Sequence, residues 1–191
     1  MKYFVISCCI VFVIVSVYLD GLLYILGPNY RAGKYVVPVL LLANLCLGIS
    51  YNLSIGFKIT DKLLGASWVS VVAAGITIIL NILFIPVFGF YASAVTTLVA
   101  YAFMALVYFF LSGKHYHVPY KTGNMLFHII TSSILVLMFL LFQYFLKWNL
   151  PLSLISGSLL IGLYLFIIYY ADKELKHLIQ SLTKKIQARF F

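Results

Sequence analysis

Residues Leu63 to Gly113 read LLGASWVSVVAAGITIILNILFIPVFGFYASAVTTLVAYAFMALVYFFLSG, 51 positions without an Asp, Glu, Lys or Arg. The only interruption is Pro86-Val87-Phe88-Gly89. Leu63 to Ile85 and Phe90 to Ser112 are then 23 residues each, about 34 Å as α-helix against a hydrocarbon core of about 30 Å. Each is long enough to cross a bilayer. Pro86 lacks a backbone donor and Gly89 is free to take unusual dihedrals, so the pattern predicts a four-residue reversal between two membrane helices.

Working outward, the whole chain fits the same solvent. Of its 191 residues 64% are hydrophobic and 9% charged, with mean hydropathy +1.11, whereas soluble domains carry about 25% charged residues. The net charge of +9 does not point to nucleic acid, because Lys and Arg sit in short segments between apolar runs and do not gather on one solvated surface. Cys8, Cys9 and Cys46 all fall inside apolar runs without CxxC spacing, and read as small apolar residues. The N-terminal run Tyr3 to Leu19 is 17 residues, longer than a signal-peptide core, and no A-x-A-like site follows it. It is read as a retained span which, continued to Leu26, reaches about 36 Å with Asp20 near one interface.

Further apolar runs at Tyr35 to Phe57, Asn124 to Leu146 and Leu152 to Tyr170 complete the fold class: an all-α polytopic membrane protein of about six transmembrane helices, near 3–26, 35–57, 63–85, 90–112, 124–146 and 152–170. The connections are short enough for the positive-inside rule. Lys2, Lys58, Lys62, Lys114, Lys121, Lys173, Lys176, Lys184, Lys185 and Arg189 fall on one side, and only Arg31, Lys34 and Lys147 on the other. That bias predicts that both termini are cytoplasmic. Residues 172–191 form a basic amphipathic tail, with Leu175, Leu178, Leu182, Ile186 and Phe190 at helical spacing. It is expected to lie on membrane lipids, where each basic residue adds about 1 kcal/mol.

A charge at mid-helix costs roughly 2.5 to 3.5 kcal/mol on insertion, so intramembrane charges mark functional paths. Here Asp20 is the sole candidate acid. Uncharged polar and small residues recur instead. Asn44, Gly48, Asn52 and Gly56 form one stripe; Ala66, Ser70, Ala73, Thr77 and Asn81 form another; Ser153/Gly157 and Ser158/Gly162 are small-xxx-small pairs. Helix packing is the ordinary role of such stripes. Asn44, Asn52, Asn81 and Asp20 are the candidates for a substrate cavity. Asn124, His128, Thr131 and Ser132 cluster near one end of the fifth span, where His128 is read as solvated. His115-Tyr116-His117 offers two imidazoles but no further ligand, so no metal and no cofactor is expected. Acid pairs, Arg clusters and activated nucleophiles are missing, and the chain is not read as an enzyme.

Two stretches carry a family resemblance. Asn81, Ile85-Pro86, Gly89, Ala92-Ser93-Ala94 and Thr96-Thr97 resemble the pattern Asn, Leu-Ile-Pro, Gly, Gly-Ala-Ala and Ala-Thr found in bacterial polysaccharide exporters. Leu26-Gly27, Tyr30 and Gly33 are similar to the same family's Phe-Gly-x-x-Tyr-x-x-Ala segment. These proteins are the lipid-linked oligosaccharide (O-antigen type) flippases of the multidrug/oligosaccharidyl-lipid/polysaccharide superfamily. Gly27, Tyr30, Pro86, Gly89 and Ala92 would then be structural motif residues, with Ala92 departing from the usual Gly.

The resemblance implies transport of undecaprenyl-pyrophosphate-linked sugar across the bacterial cytoplasmic membrane by alternating access between two helical lobes. It spans only the last six or so of the family's twelve to fourteen helices. The leading expectation is therefore the C-terminal portion of a flippase, incomplete without an N-terminal transporter half. A small structural or assembly partner of a polysaccharide-synthesis complex is a second possibility. A drug/cation exporter fragment is a third, and would require Asp20 to be a protonatable cavity carboxylate.

Overall fold

The computed structural model describes residues 1–26, 33–59, 63–115, 122–146, 150–172 and 176. Their ordered elements are seven helices: α1 (Lys2–Val17), α2 (Leu19–Leu26), α3 (Val36–Ile59), α4 (Leu63–Phe88), α5 (Phe90–His115), α6 (Thr122–Leu146) and α7 (Leu150–Ala171). In hydrocarbon every backbone N–H and C=O must be satisfied within the segment, which is why apolar runs of this length fold as helices. Five of the seven, α3 to α7, are long and apolar enough to cross a membrane; α1 and α2 together form a sixth candidate. The chain is a multi-pass helical membrane protein. Gly27, Tyr30, the side chains of the His115-Tyr116-His117 segment, and the tail beyond Asp172 other than Lys176 lie outside the described residues.

The bundle is organised around α1, which packs against α3, α6 and α7, while α3 packs closely on α5 and α5 on α4. Val5, Ile6, Cys9, Phe12, Val13, Ser16 and Val17 are the buried face of α1, a spacing of three and four that puts them on one side of a 3.6-residue helix. They meet Met125, Val136 and Phe139 of α6 and Tyr164 and Ile168 of α7 in one core, while Leu53, Phe57, Val69, Ala73, Met104 and Tyr108 form a second core among α3, α4 and α5. Lipid tails are as apolar as Leu, so close packing rather than burial from water selects these faces. Glycine permits two of the approaches. A Cβ at Gly48 would lie 2.5 Å from Cζ of Phe4, and one at Gly157 would overlap Cγ1 of Val17.

The first span departs from expectation. Instead of one straight helix over 3–26, α1 stops at Val17 and α2 leaves at an angle of 58°. Tyr18 takes φ −86° and ψ 9°, and its carbonyl accepts the N–H of Leu22 to start the new helix. The bend sets Asp20 in the first turn of α2, where the helix dipole favours a carboxylate. Asp20 pairs there with Lys34 at the start of the next span, Oδ1 to Nζ 2.5 Å.

The central reversal is also tighter than predicted. Pro86 does not end the helix: α4 runs on to Phe88 with Pro86 inside it. Proline there costs the hydrogen bond to the Ile82 carbonyl, tolerable within one turn of the end. Gly89 alone makes the turn, at φ +62°. Its N–H donates to the Ile85 carbonyl at 2.8 Å, the single-bond αL termination of a helix. The Ala92 N–H then bonds to the Gly89 carbonyl at 3.1 Å and opens α5. Ala92 and Ala94 are buried as α5 begins.

Candidate functional site

The four cavity candidates have different surroundings. Asn44 is exposed and lines a groove of about 330 Å³ between α1 and α3, beside Phe4, Ser7, Cys8 and Val11. Asn52 turns back on its own helix and donates to the Gly48 carbonyl at 2.9 Å. Asn81 accepts from the Thr96 hydroxyl at 2.5 Å and ties α4 to α5. Asp20, besides its pair with Lys34, accepts from the Ser153 hydroxyl at 3.4 Å, and Ser153 in turn accepts from Nε2 of Gln143 at 2.5 Å. That relay joins α2, α6 and α7 at one end of the bundle.

The stripes seen in the sequence serve as contacts on the same terms. Ser70 lies 3.2 Å from the Tyr108 hydroxyl across α4 and α5, and Thr77 bonds to the Ala73 carbonyl in its own helix. Ser153 and Gly157 face inward, while Ser158 is exposed and Gly162 has open space around it. The side chain of Ala66 lies outside the described residues. Cys8, Cys9 and Cys46 are free thiols.

A larger cleft of about 570 Å³ opens between α3 and α5 on one side and α6 on the other. Phe12, Leu42, Leu98, Val136, Leu140 and Tyr144 are among its walls, and Ser133 is the only side chain there that is neither aliphatic nor aromatic. Volumes of several hundred Å³ are typical of ligand pockets. With walls this apolar the cleft suits hydrocarbon and offers a sugar almost nothing.

A second polar group, which the sequence reading did not assemble, lies at the opposite end of α1 from Asp20. Lys2 Nζ sits between the two carboxylate oxygens of Asp172, 2.7 Å and 2.6 Å away. The pair is nearly dry: the side chains are 11% and 2% exposed. His128 is read from sequence as solvated, yet it is 1% exposed, and its Nδ1 has no hydrogen-bond partner. The charges of Asp172 and Lys2 both act on it. One turn deeper, Ser132 of α6 meets Cys9 of α1 and Tyr164 of α7; all three are buried. They interact at close range, although the Tyr164 hydroxyl makes no hydrogen bond of ordinary geometry.

The signal was present in the chain as Met125, His128, Ser132, Val136 and Phe139, one helical stripe that places His128 on the same face as the core. What hid it was the position of His128 near a span end, where water is the ordinary neighbour.

Comparisons of the chain with known protein families, with curated proteins and with solved structures give no match.

Proposed function

We propose that the chain serves membrane transport of lipid-linked oligosaccharide units for polysaccharide biosynthesis, as the C-terminal portion of a flippase that is incomplete alone. The observation that carries this reading is the apolar cleft of about 570 Å³ between α3, α5 and α6, nearly free of polar walls. The motif residues about the central turn support it. So does the fate of the cavity candidates: Asn52, Asn81 and Asp20 are engaged within the bundle, so contacts to a sugar headgroup have to come from a further lobe. On this reading the protein sits in a bacterial cytoplasmic membrane with both termini in the cytoplasm, as the ten-to-three distribution of basic residues favours.

The test is reconstitution of the purified chain in liposomes with a fluorescent undecaprenyl-pyrophosphate-linked sugar. No leaflet exchange by the chain alone is expected, with exchange restored by a complementary transporter half. Exchange by the chain alone would defeat the claim that it is incomplete. Absence of any binding of the lipid-linked sugar would defeat the transport reading itself. Topology is tested separately by cysteine labelling from outside, expected at Asn29→Cys and Asn149→Cys and not at His115→Cys.

The same internal hydrogen bonds favour a second reading, a small structural partner of a polysaccharide-assembly complex. That reading expects stable co-purification with a glycan-synthesis enzyme and no exporter half. Ion pairing of Asp20 with Lys34 argues against the cation-exporter alternative.

A further inference from the structure

We propose that the reversal between α4 and α5 does not emerge into water: its tip, Val87, Phe88 and Phe90, lies among lipid acyl chains just beneath the headgroups. The placement is independent of what the protein transports. Charge is the first reason for it. Every other connection between spans carries or adjoins a basic residue: Arg31 and Lys34, Lys58 and Lys62, Lys114 and Lys121, or Lys147. Residues 86–89 have none, and the nearest charged positions in sequence, Lys62 and Lys114, stand at the opposite ends of the two helices.

Exposure is the second. Val87 is 71% and Phe88 61% exposed, and Ile85 and Phe90 are exposed beside them. This surface continues the outward face of α4, whose membrane-spanning stretch Ser67–Phe88 is almost wholly uncovered by the rest of the bundle. In a membrane helix that face meets lipid, and from Ile82 to the turn no polar side chain marks a point where lipid contact stops. Water would meet a patch of large apolar side chains there, whereas acyl chains match it.

Polar groups near the tip are turned inward. Asn81 accepts from the Thr96 hydroxyl, and the Thr97 hydroxyl donates to the Ser93 carbonyl at 2.7 Å. Of the backbone donors of the reversal, Pro86 has none to satisfy, the Gly89 N–H bonds to the Ile85 carbonyl, and the Ala92 N–H bonds to the Gly89 carbonyl. Internal pairing of this kind is what a segment needs where water is missing. Tyr91 sets the depth. It is exposed, its ring stacks on Phe90 with centroids 4.2 Å apart, and tyrosine is enriched at the level of the headgroups.

The test uses the full chain, one copy per lipid nanodisc, with Cys8, Cys9 and Cys46 replaced by Ala. A nitroxide is attached at Val87→Cys or Phe88→Cys, and at Asn149→Cys as a reference in the connection that carries Lys147. Relaxation by oxygen, which concentrates among acyl chains, is compared with relaxation by a water-soluble nickel complex. At both tip positions oxygen is expected to act more strongly than nickel, with the order reversed at Asn149→Cys. Stronger relaxation by nickel at the tip overturns the proposal. So does poor access for both reagents, because protein rather than lipid would then cover the turn. If the cysteine-free chain does not fold, the unaltered protein decides. Hydroxyl radicals generated in water should leave Phe88 and Phe90 unoxidised until the chain is denatured, whereas Trp148 reacts in both states; oxidation of the two phenylalanines in the nanodisc overturns the proposal.

Discussion

The Thr96 hydroxyl reaches across the central hairpin to the side-chain oxygen of Asn81, fifteen residues earlier, at 2.5 Å. It also contacts the Ser93 carbonyl of its own helix at 3.0 Å, so one hydroxyl serves two acceptors. Thr96 is buried. This bond gives the Asn and Thr of the hairpin motif a physical task, holding α4 against α5 in a solvent that offers no alternative partner.

Replacing Thr96→Val should therefore destabilise the hairpin, by about 0.6 kcal/mol and at most about 1.7 kcal/mol, the measured range for interhelical hydrogen bonds in membranes. A double-mutant cycle with Asn81→Leu in a denaturing-detergent titration isolates the coupling. Strictly additive losses would mean that the bond contributes nothing.

Gly89→Ala tests the turn. The space around Gly89 is open, yet φ is +62°, so the cost is conformational, about 1 to 2 kcal/mol. Gly162→Ala, which also meets nothing within 4 Å but lies inside α7, should be neutral or slightly stabilising. Equal thermal stability for the two variants would remove the left-handed turn from the account.

Gly157→Ala should behave differently again. Its methyl group would overlap Val17, and α7 must move off α1 at a cost of about 1 to 3 kcal/mol. Combining it with Val17→Ala should recover part of the loss. Failure of that rescue, measured as the melting temperature in detergent, would show that the contact is not the source of the strain.

Lys2→Met should be among the most damaging changes, since it removes one member of a buried ion pair, typically about 3 to 5 kcal/mol. The double variant Lys2→Met/Asp172→Leu is expected to be far less impaired than Lys2→Met alone. Chemical unfolding of the three proteins side by side checks the ordering.

Much of the fold was legible because the bilayer leaves few options. Leu63 to Gly113 had to be helix, turn and helix, and the structure moves the boundary by only three residues, from Ile85 to Phe88. Pro86 was misleading because a proline near a helix end forfeits one bond and no more. The break at Tyr18 carried no such mark, having neither proline nor glycine at the bend itself. What flanks it is tertiary, and so invisible in the local sequence: Val17 against Gly157, and Asp20 with Lys34 and Ser153.

Sidedness around each helix was illegible for a related reason. Helices apolar on every face give no amphipathic signal, so the choice of which stripe faces inward rests on small-residue fit, as at Gly48 beneath Phe4. The asparagines illustrate the limit most clearly. Asn44 and Asn52 share one stripe of α3, yet Asn52 is spent on its own backbone while Asn44 faces a groove. Composition cannot separate those two outcomes.

The bend at Tyr18 bears on membrane thickness. Sixteen residues of α1 rise about 24 Å, and the eight of α2, leaving at 58°, add only about 6 Å along the same axis. The first span thus matches a hydrocarbon layer of about 30 Å with no surplus, whereas the 22-residue apolar stretch Ser67–Phe88 of α4, about 33 Å long, exceeds it and fits with a modest tilt. Within one bundle, two elements therefore make opposite demands under hydrophobic mismatch. A thicker bilayer relieves the inclination of α4 and pulls α1 and α2 toward a straight line, loading the Asp20–Lys34 pair that joins α2 to the start of α3.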